Sequence, residues 1–218
     1  MAGRPPETPP DAARQALRLE YATIGSTTIE AVAAITSGII AASVALTSFG
    51  IDSGIEFISA IVVAVRLRSL IASGEANEEK ERRALKVVAV LFYVLAVYVL
   101  IDATLTLALR DHPAVSPVGM AVSSAALIIM PLLAIGKRRV ARRLDAVQLP
   151  GPAVLLRADS SETALCAVLS ATTLLGLGLN AGFSWWWADP VASLAVVYFA
   201  IREGREAWHG EIVCIEDD

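Results

Sequence analysis

Apolar residues in this chain gather into long stretches, at 22–40, 44–65, 87–109, 118–135, 165–183 and 191–201, with polar or charged residues between them. A helix needs about 20 residues to cross a hydrocarbon core of about 30 Å. The sixth is clearly shorter than this, and flanking residues are taken to extend the last two, 155–163 for the fifth and the Trp185-Trp186-Trp187 run for the sixth. The pattern predicts an all-α integral membrane protein of six transmembrane helices. Asp189-Pro190 suits the start of the sixth, because an Asp side chain can cap free amides and Pro is tolerated in a first turn. The tryptophans would then sit at a membrane interface, where amphipathic rings are enriched.

Composition agrees with a lipid-facing chain: of 218 residues 56% are hydrophobic and 18% charged, and mean hydropathy is +0.61. The net charge of −4 says little, but the placement of the basic residues says more. If the stretches alternate in direction, Arg4, Arg14 and Arg18, then six basic residues over 66–86, six over 137–157, and finally Arg202 and Arg205 all fall on one side. Only Arg110 falls opposite. Lys/Arg excess marks the cytoplasmic side, so both termini are expected there. The expected organisation is a disordered cytoplasmic tail over 1–18, a six-helix transmembrane domain over 19–208 and a short cytoplasmic tail over 209–218. The Pro- and Ala-rich start has no apolar core beside a cleavage site and does not read as a signal peptide. Two cysteines, Cys166 and Cys214, give no disulfide framework. The runs 75–86 and 137–143 read as solvated loops, and His112 and His209 as exposed.

A carboxylate inside a hydrocarbon span is costly, so each one is a functional-site candidate with a partner to be named. The candidates are Glu30, Asp52, Glu56, Asp102 and Glu162, with Asp159 and Asp189 nearer span ends. At 1.5 Å per residue, Asp52 lies about 12 Å and Glu56 about 18 Å from the outer start of the second span. Glu162 and Cys166 lie about 10 and 16 Å from the inner start of the fifth. Asp52 is therefore expected level with Cys166, and Glu56 level with Glu162. Both pairs are spaced by four, so each occupies one helix face. Three carboxylates and a thiol repel one another when ionised, and a divalent cation or protons relieve that repulsion. The competing readings are structural: protonated carboxyls joining helices for Glu30 and Asp102, and a small packing residue for Cys166. Small residues such as Gly176, Gly178, Ala181 and Gly182 read as a close helix-packing face.

The segment Ser43-Val-Ala-Leu-Thr-Ser-Phe-Gly-Ile-Asp52-Ser-Gly-Ile-Glu56 resembles the second-helix signature of the cation diffusion facilitator family of divalent-metal transporters. Leu156-Arg-Ala-Asp-Ser-Ser-Glu162-Thr-Ala-Leu-Cys166 is similar to their fifth helix, and Trp185-Trp-Trp-Ala-Asp189-Pro190 to the start of their sixth. The resemblance implies six helices, a transport site between the second and fifth, and exchange of Zn²⁺ or a related ion for protons. Where the family's fifth helix usually presents His and Asp, this chain has Glu162 and Cys166. Family members typically continue into a soluble cytoplasmic domain, whereas here only residues 203–218 follow the sixth span.

The expected function is export of a divalent transition-metal cation from the cytoplasm in exchange for protons. Zn²⁺ is the first choice, and Cd²⁺, Co²⁺, Fe²⁺ and Mn²⁺ are alternatives. Asp52, Glu56, Glu162 and Cys166 are the expected metal ligands, and Glu30, Asp102 and Asp159 accessory intramembrane carboxylates. No cofactor, enzymatic activity or nucleic-acid partner is expected. The partners are the cation, protons, lipid and a second copy in a homodimer, in the cytoplasmic (inner) membrane of a bacterium. The alternative is a membrane scaffold or assembly subunit of the same fold that transports nothing. The charge distribution yields a direct test of topology. In intact cells, an external thiol reagent should label cysteines placed at His112 or Ser184 and spare those at Asn77 or Val147; labelling at position 77 would sink the six-span arrangement.

Overall fold

A computed structural model describes residues 9–41, 44–109, 117–183, 185 and 187–210; within them, the side chains at 38, 41, 44–48, 119, 176–178, 180–181 and 189 fall outside the description. The described residues form helices α1 (Pro9–Ala41), α2 (Val44–Ser73), α3 (Glu78–Leu109), α4 (Pro117–Ala146), α5 (Pro150–Phe183) and α6 (Ala188–His209). Each of the six apolar stretches lies inside one of them.

Local chemistry sets the boundaries. Gly74, at φ 72°, ends α2 in the left-handed conformation that glycine adopts freely. Asn77 then starts α3 with a reciprocal cap: its Oδ1 accepts the Lys80 amide at 2.9 Å, and its own amide donates to Glu81 Oε1 at 3.3 Å. The other Glu81 oxygen lies against Gly151 in the first turn of α5, where the helix dipole favours an anion. Arg66 Nη2 stands 3.9 Å from Oε1. Burial nevertheless raises the Glu81 carboxyl above its ordinary value, against the lowering effects of the Asn77 amide and Arg66.

Three expectations change. Helix α1 begins at Pro9, inside the stretch expected to be disordered, because Ala12, Ala13 and Ala16 are buried and Arg143 donates to Gln15 Oε1 at 2.7 Å. The runs 75–86 and 137–143 are mostly helical rather than solvated loops, the second continuing α4 to Ala146. Helix α6 is preceded by Trp187 with no side-chain cap. Asp189 is its second residue, with a side chain outside the description.

The helices pack most extensively as α1 with α2, α4 with α5, and α3 with α6. Further contacts of α1 with α4 and of α2 with α5 close α1, α2, α4 and α5 into a ring, and the α3–α6 pair leans on α5 and α2. Phe92, Leu95, Leu67, Leu144, Leu155 and Leu156 fill the interior with little or no exposure. Ile29, Val32, Ile128, Leu132, Leu175 and Tyr198 face outward as large exposed apolar groups. Among the described residues, α3 and residues 120–146 of α4 are long and apolar enough to cross a membrane by length and composition. Helices α1, α2 and α5 carry Glu20 and Glu30, Asp52 and Glu56, and Asp159 and Glu162 in their interiors.

Close approach of α1 to α2 depends on Gly50. A methyl there would stand 2.5 Å from Ile35 Cγ1 and 3.1 Å from the Ile35 amide nitrogen. Gly182, from the expected packing face, has open space beside it; Gly176, Gly178 and Ala181 have undescribed surroundings. Gly50→Ala should therefore destabilise the purified protein by about 1–3 kcal/mol, the usual cost of overpacking. Gly182→Ala should leave thermal unfolding in detergent unchanged or slightly raised, since Ala outranks Gly in a helix.

Candidate cation site

Helices α2 and α5 run antiparallel across the ring, and two direct contacts fix their register. The Cys166 thiol donates to Asp52 Oδ2 at 3.3 Å, and the Ser59 hydroxyl donates to Asp159 Oδ1 at 2.7 Å. Ser59 follows Asp52 by seven residues, and Asp159 precedes Cys166 by seven. This interval is two helical turns, about 10 Å, on both helices. Glu56 and Glu162, four residues along from the first contact on each helix, share a level between the two contacts.

All four proposed donors are buried, at 5% exposure for Asp52 and Cys166 and 1% for Glu56 and Glu162. The three carboxylates each interact electrostatically with the thiol. Neither carboxylate oxygen of Glu56 or Glu162 has a hydrogen-bond partner, nor does Asp52 Oδ1. Glu30 joins from α1: it is buried, it interacts with the charges of Glu56 and Asp52, and its Oε1 has no hydrogen-bond partner. Asp102 is half-buried on α3. Among the described residues, no group of three or more His, Cys, Asp or Glu side chains is arranged to hold a metal ion in this conformation.

Below this level lies a second polar cluster. Lys137 of α4 is fully buried, with Nζ 3.1 Å from Glu20 Oε2, in an ion pair with Asp159, and 3.2 Å from Thr163 Oγ1. Ser160 Oγ donates to the Ala134 carbonyl at 3.0 Å, fastening α5 to α4 beside it. Lys137 was expected in a solvated basic run, so this is a correction. Glu20 was not singled out at all. Helical periodicity carries the signal for both. Met130, Leu133, Ala134, Lys137, Val140, Ala141 and Leu144 form one buried stripe of α4, while Ala12, Ala13, Ala16, Glu20, Thr23, Thr27, Glu30 and Ala34 form one of α1.

The physics of the upper cluster is unusual for a structural core. A buried polar atom without a partner costs about 1–3 kcal/mol, and more when charged. Native interiors contain few such atoms. Here several converge on one interface, with ligand types acceptable to borderline and soft divalent ions: carboxylate oxygen and thiolate sulfur.

A family model, the cation efflux transmembrane domain, matches residues 84–208, more than half of the chain. The chain belongs to this family. It is an integral membrane protein of the cation efflux kind, a class of transporters rather than enzymes, as its resemblance to the cation diffusion facilitators implied. No curated protein matches the chain. The matched range of this cation efflux protein includes Lys137, Asp159, Glu162 and Cys166, while Asp52 and Glu56 of α2 precede it.

The Asp52–Cys166 contact generates a test of the thiol. Cys166→Ser should weaken binding of soft Cd²⁺ by about tenfold or more and leave Mn²⁺ nearly unchanged, because thiolate selects soft ions. Equal effects on both ions in equilibrium dialysis would mark Cys166 as a packing residue.

Proposed function

We propose that this protein exports a divalent transition-metal cation, Zn²⁺ first among candidates, from the cytoplasm in exchange for protons. Six membrane-crossing helices carry both termini on the cytoplasmic side of a bacterial inner membrane. Asp52, Glu56, Glu162 and Cys166 are the cation's ligands. The observation that carries this reading is the buried, unpartnered Glu56 and Glu162 pair at the level of the Asp52–Cys166 contact, in a chain of the cation efflux family.

The chemistry follows from charge. Three carboxylates and a thiolate buried together carry four negative charges, and their repulsion is relieved equally, by two charges, on taking up two protons or one divalent cation, with further protons held in either state. Binding the cation displaces protons, and protons arriving from the other side displace the cation. The donor set offers the four ligands that Zn²⁺ usually takes, with no histidine among them. A scaffold using its carboxyls to join helices would hold them in well-formed hydrogen bonds, whereas Glu56 only approaches Cys166 and Thr163, and Glu162 only approaches Ser59. Two copies form the working unit through their exposed apolar helix faces.

Zn²⁺ flux into proteoliposomes containing the purified protein tests the reading. Asp52→Ala or Glu162→Ala, folded at normal levels, should reduce flux to background, because one of four ligands is lost. Affinity of the parent should rise from pH 6 to pH 8 as competing protons are removed. Wild-type flux in Asp52→Ala, or affinity flat across that range, would refute the assignment.

A further inference from the structure

Lys137 is itself a cation stored inside the bundle. Its fully buried ammonium contacts Glu20 of α1, Asp159 of α5 and Thr163 of α5, while Ser59 of α2 holds the second oxygen of Asp159. All four helices of the ring contribute. The cluster lies about 10 Å from the Asp52–Cys166 contact along α2 and α5, toward Ser73 and Pro150. Along the helix axis the cluster therefore stands between Glu56 and Glu162 and that end of the ring.

The groups on the ammonium are all oxygen, two carboxylates and the Thr163 hydroxyl, with the Ser59 hydroxyl next to them on Asp159; such a donor set suits a hard divalent cation. They offer more capacity than one ammonium uses: Glu20 is fully buried, and its Oε1 has no hydrogen-bond partner. A lysine ammonium is a compact point charge on a flexible four-carbon stem, so it can leave such a position while its backbone stays in place.

We propose that Glu20, Ser59, Asp159 and Thr163 form a second cation-binding position, which the Lys137 ammonium occupies as a tethered cation and which a divalent cation takes when the ammonium withdraws. That the divalent cation is the cargo rests on the transport reading; the existence of the position does not. The exchange changes the local charge by one unit, from the ammonium's single positive charge to the cation's two. In a medium of low dielectric, cations at the two levels repel each other. The returning ammonium therefore discourages backward movement of an ion that has reached Glu56 and Glu162.

The test is equilibrium dialysis of the purified full-length protein with Mn²⁺, comparing the parent with Lys137→Met, a neutral side chain of similar length. The variant should bind one more Mn²⁺ per chain than the parent and gain a larger rise in Tm on adding Mn²⁺. The comparison is repeated with Asp52→Asn and Glu162→Gln in both arms, so that failure of the proposed transport site leaves the additional ion visible. The triple variant Glu20→Gln/Lys137→Met/Asp159→Asn, neutral throughout, should lose that ion. Equal stoichiometry in parent and Lys137→Met, or an additional ion that persists in the triple variant, overturns the proposal. Failure to recover folded Lys137→Met both with and without Mn²⁺ also counts against it, because an ion filling the position would restore the missing charge.

Discussion

The ion pair of Lys137 with Asp159 and Glu20 is the constraint on which the arrangement of the ring depends. Moving a charge of this kind from water into a protein interior costs several kcal/mol even after relaxation, and attraction offsets that cost only when geometry and hydrogen bonding are good. Here one ammonium bridges carboxylates from two helices, and Ser59 from a third donates to the second oxygen of Asp159. Removing the ammonium would leave both carboxylates buried and uncompensated, typically a loss of about 3–5 kcal/mol. Purely apolar helix surfaces can slide past one another at modest cost. A pinned charge triad cannot, so it sets the level at which the four helices stand.

That pinning gives the upper cluster its shape. With Ser59 held opposite Asp159, the antiparallel register places Glu56 opposite Glu162 and brings Cys166 to Asp52. The two polar levels are chemically unlike. The lower is built round an ammonium that offsets one of its two carboxylate charges; the upper is a set of carboxylates most of whose oxygens lack partners. A core selected only for stability would place apolar groups there, as buried ionic groups rarely outperform well-packed hydrophobic ones. Stability withheld at the upper level fits the behaviour of functional sites, where rules obeyed elsewhere are locally broken.

Much of this was legible before the fold was known. Asp52 with Glu56, and Glu162 with Cys166, stand out because acidic residues interrupt otherwise apolar stretches at one-turn spacing, and rise per residue is enough to compare their depths. Lys137 was hidden because it adjoins Arg138 and Arg139, and a basic run after an apolar stretch reads as the end of a span. Only the phase of the helix separates Lys137, on the buried stripe, from its solvent-facing neighbours. Glu20 was obscured in the same way, within a polar start that in fact belongs to α1. Gly50 gave no signal distinguishable from Gly182, since whether a glycine faces a neighbour depends on tertiary contact. The expected Asp189 cap relied on residue type, whereas the structure begins α6 two residues earlier, after Trp187, and without a side-chain cap.

The contrast between α3, which is apolar through most of its length, and the carboxylate-bearing α1, α2 and α5 bears on how such a chain enters a bilayer. A single Asp at the centre of an inserting helix costs about 2.5–3.5 kcal/mol on translocon scales, enough to make a helix with two carboxylates a poor solitary guest. The strongest helix pairings, α1 with α2 and α4 with α5, are between neighbours in sequence. In the second hairpin Lys137 and Asp159 already neutralise each other, so the charge cancels within the unit that leaves the translocon. For Glu20 of the first hairpin the counter-charge comes only from Lys137 of the second, so the two hairpins differ in how far each cancels its own charge before they meet.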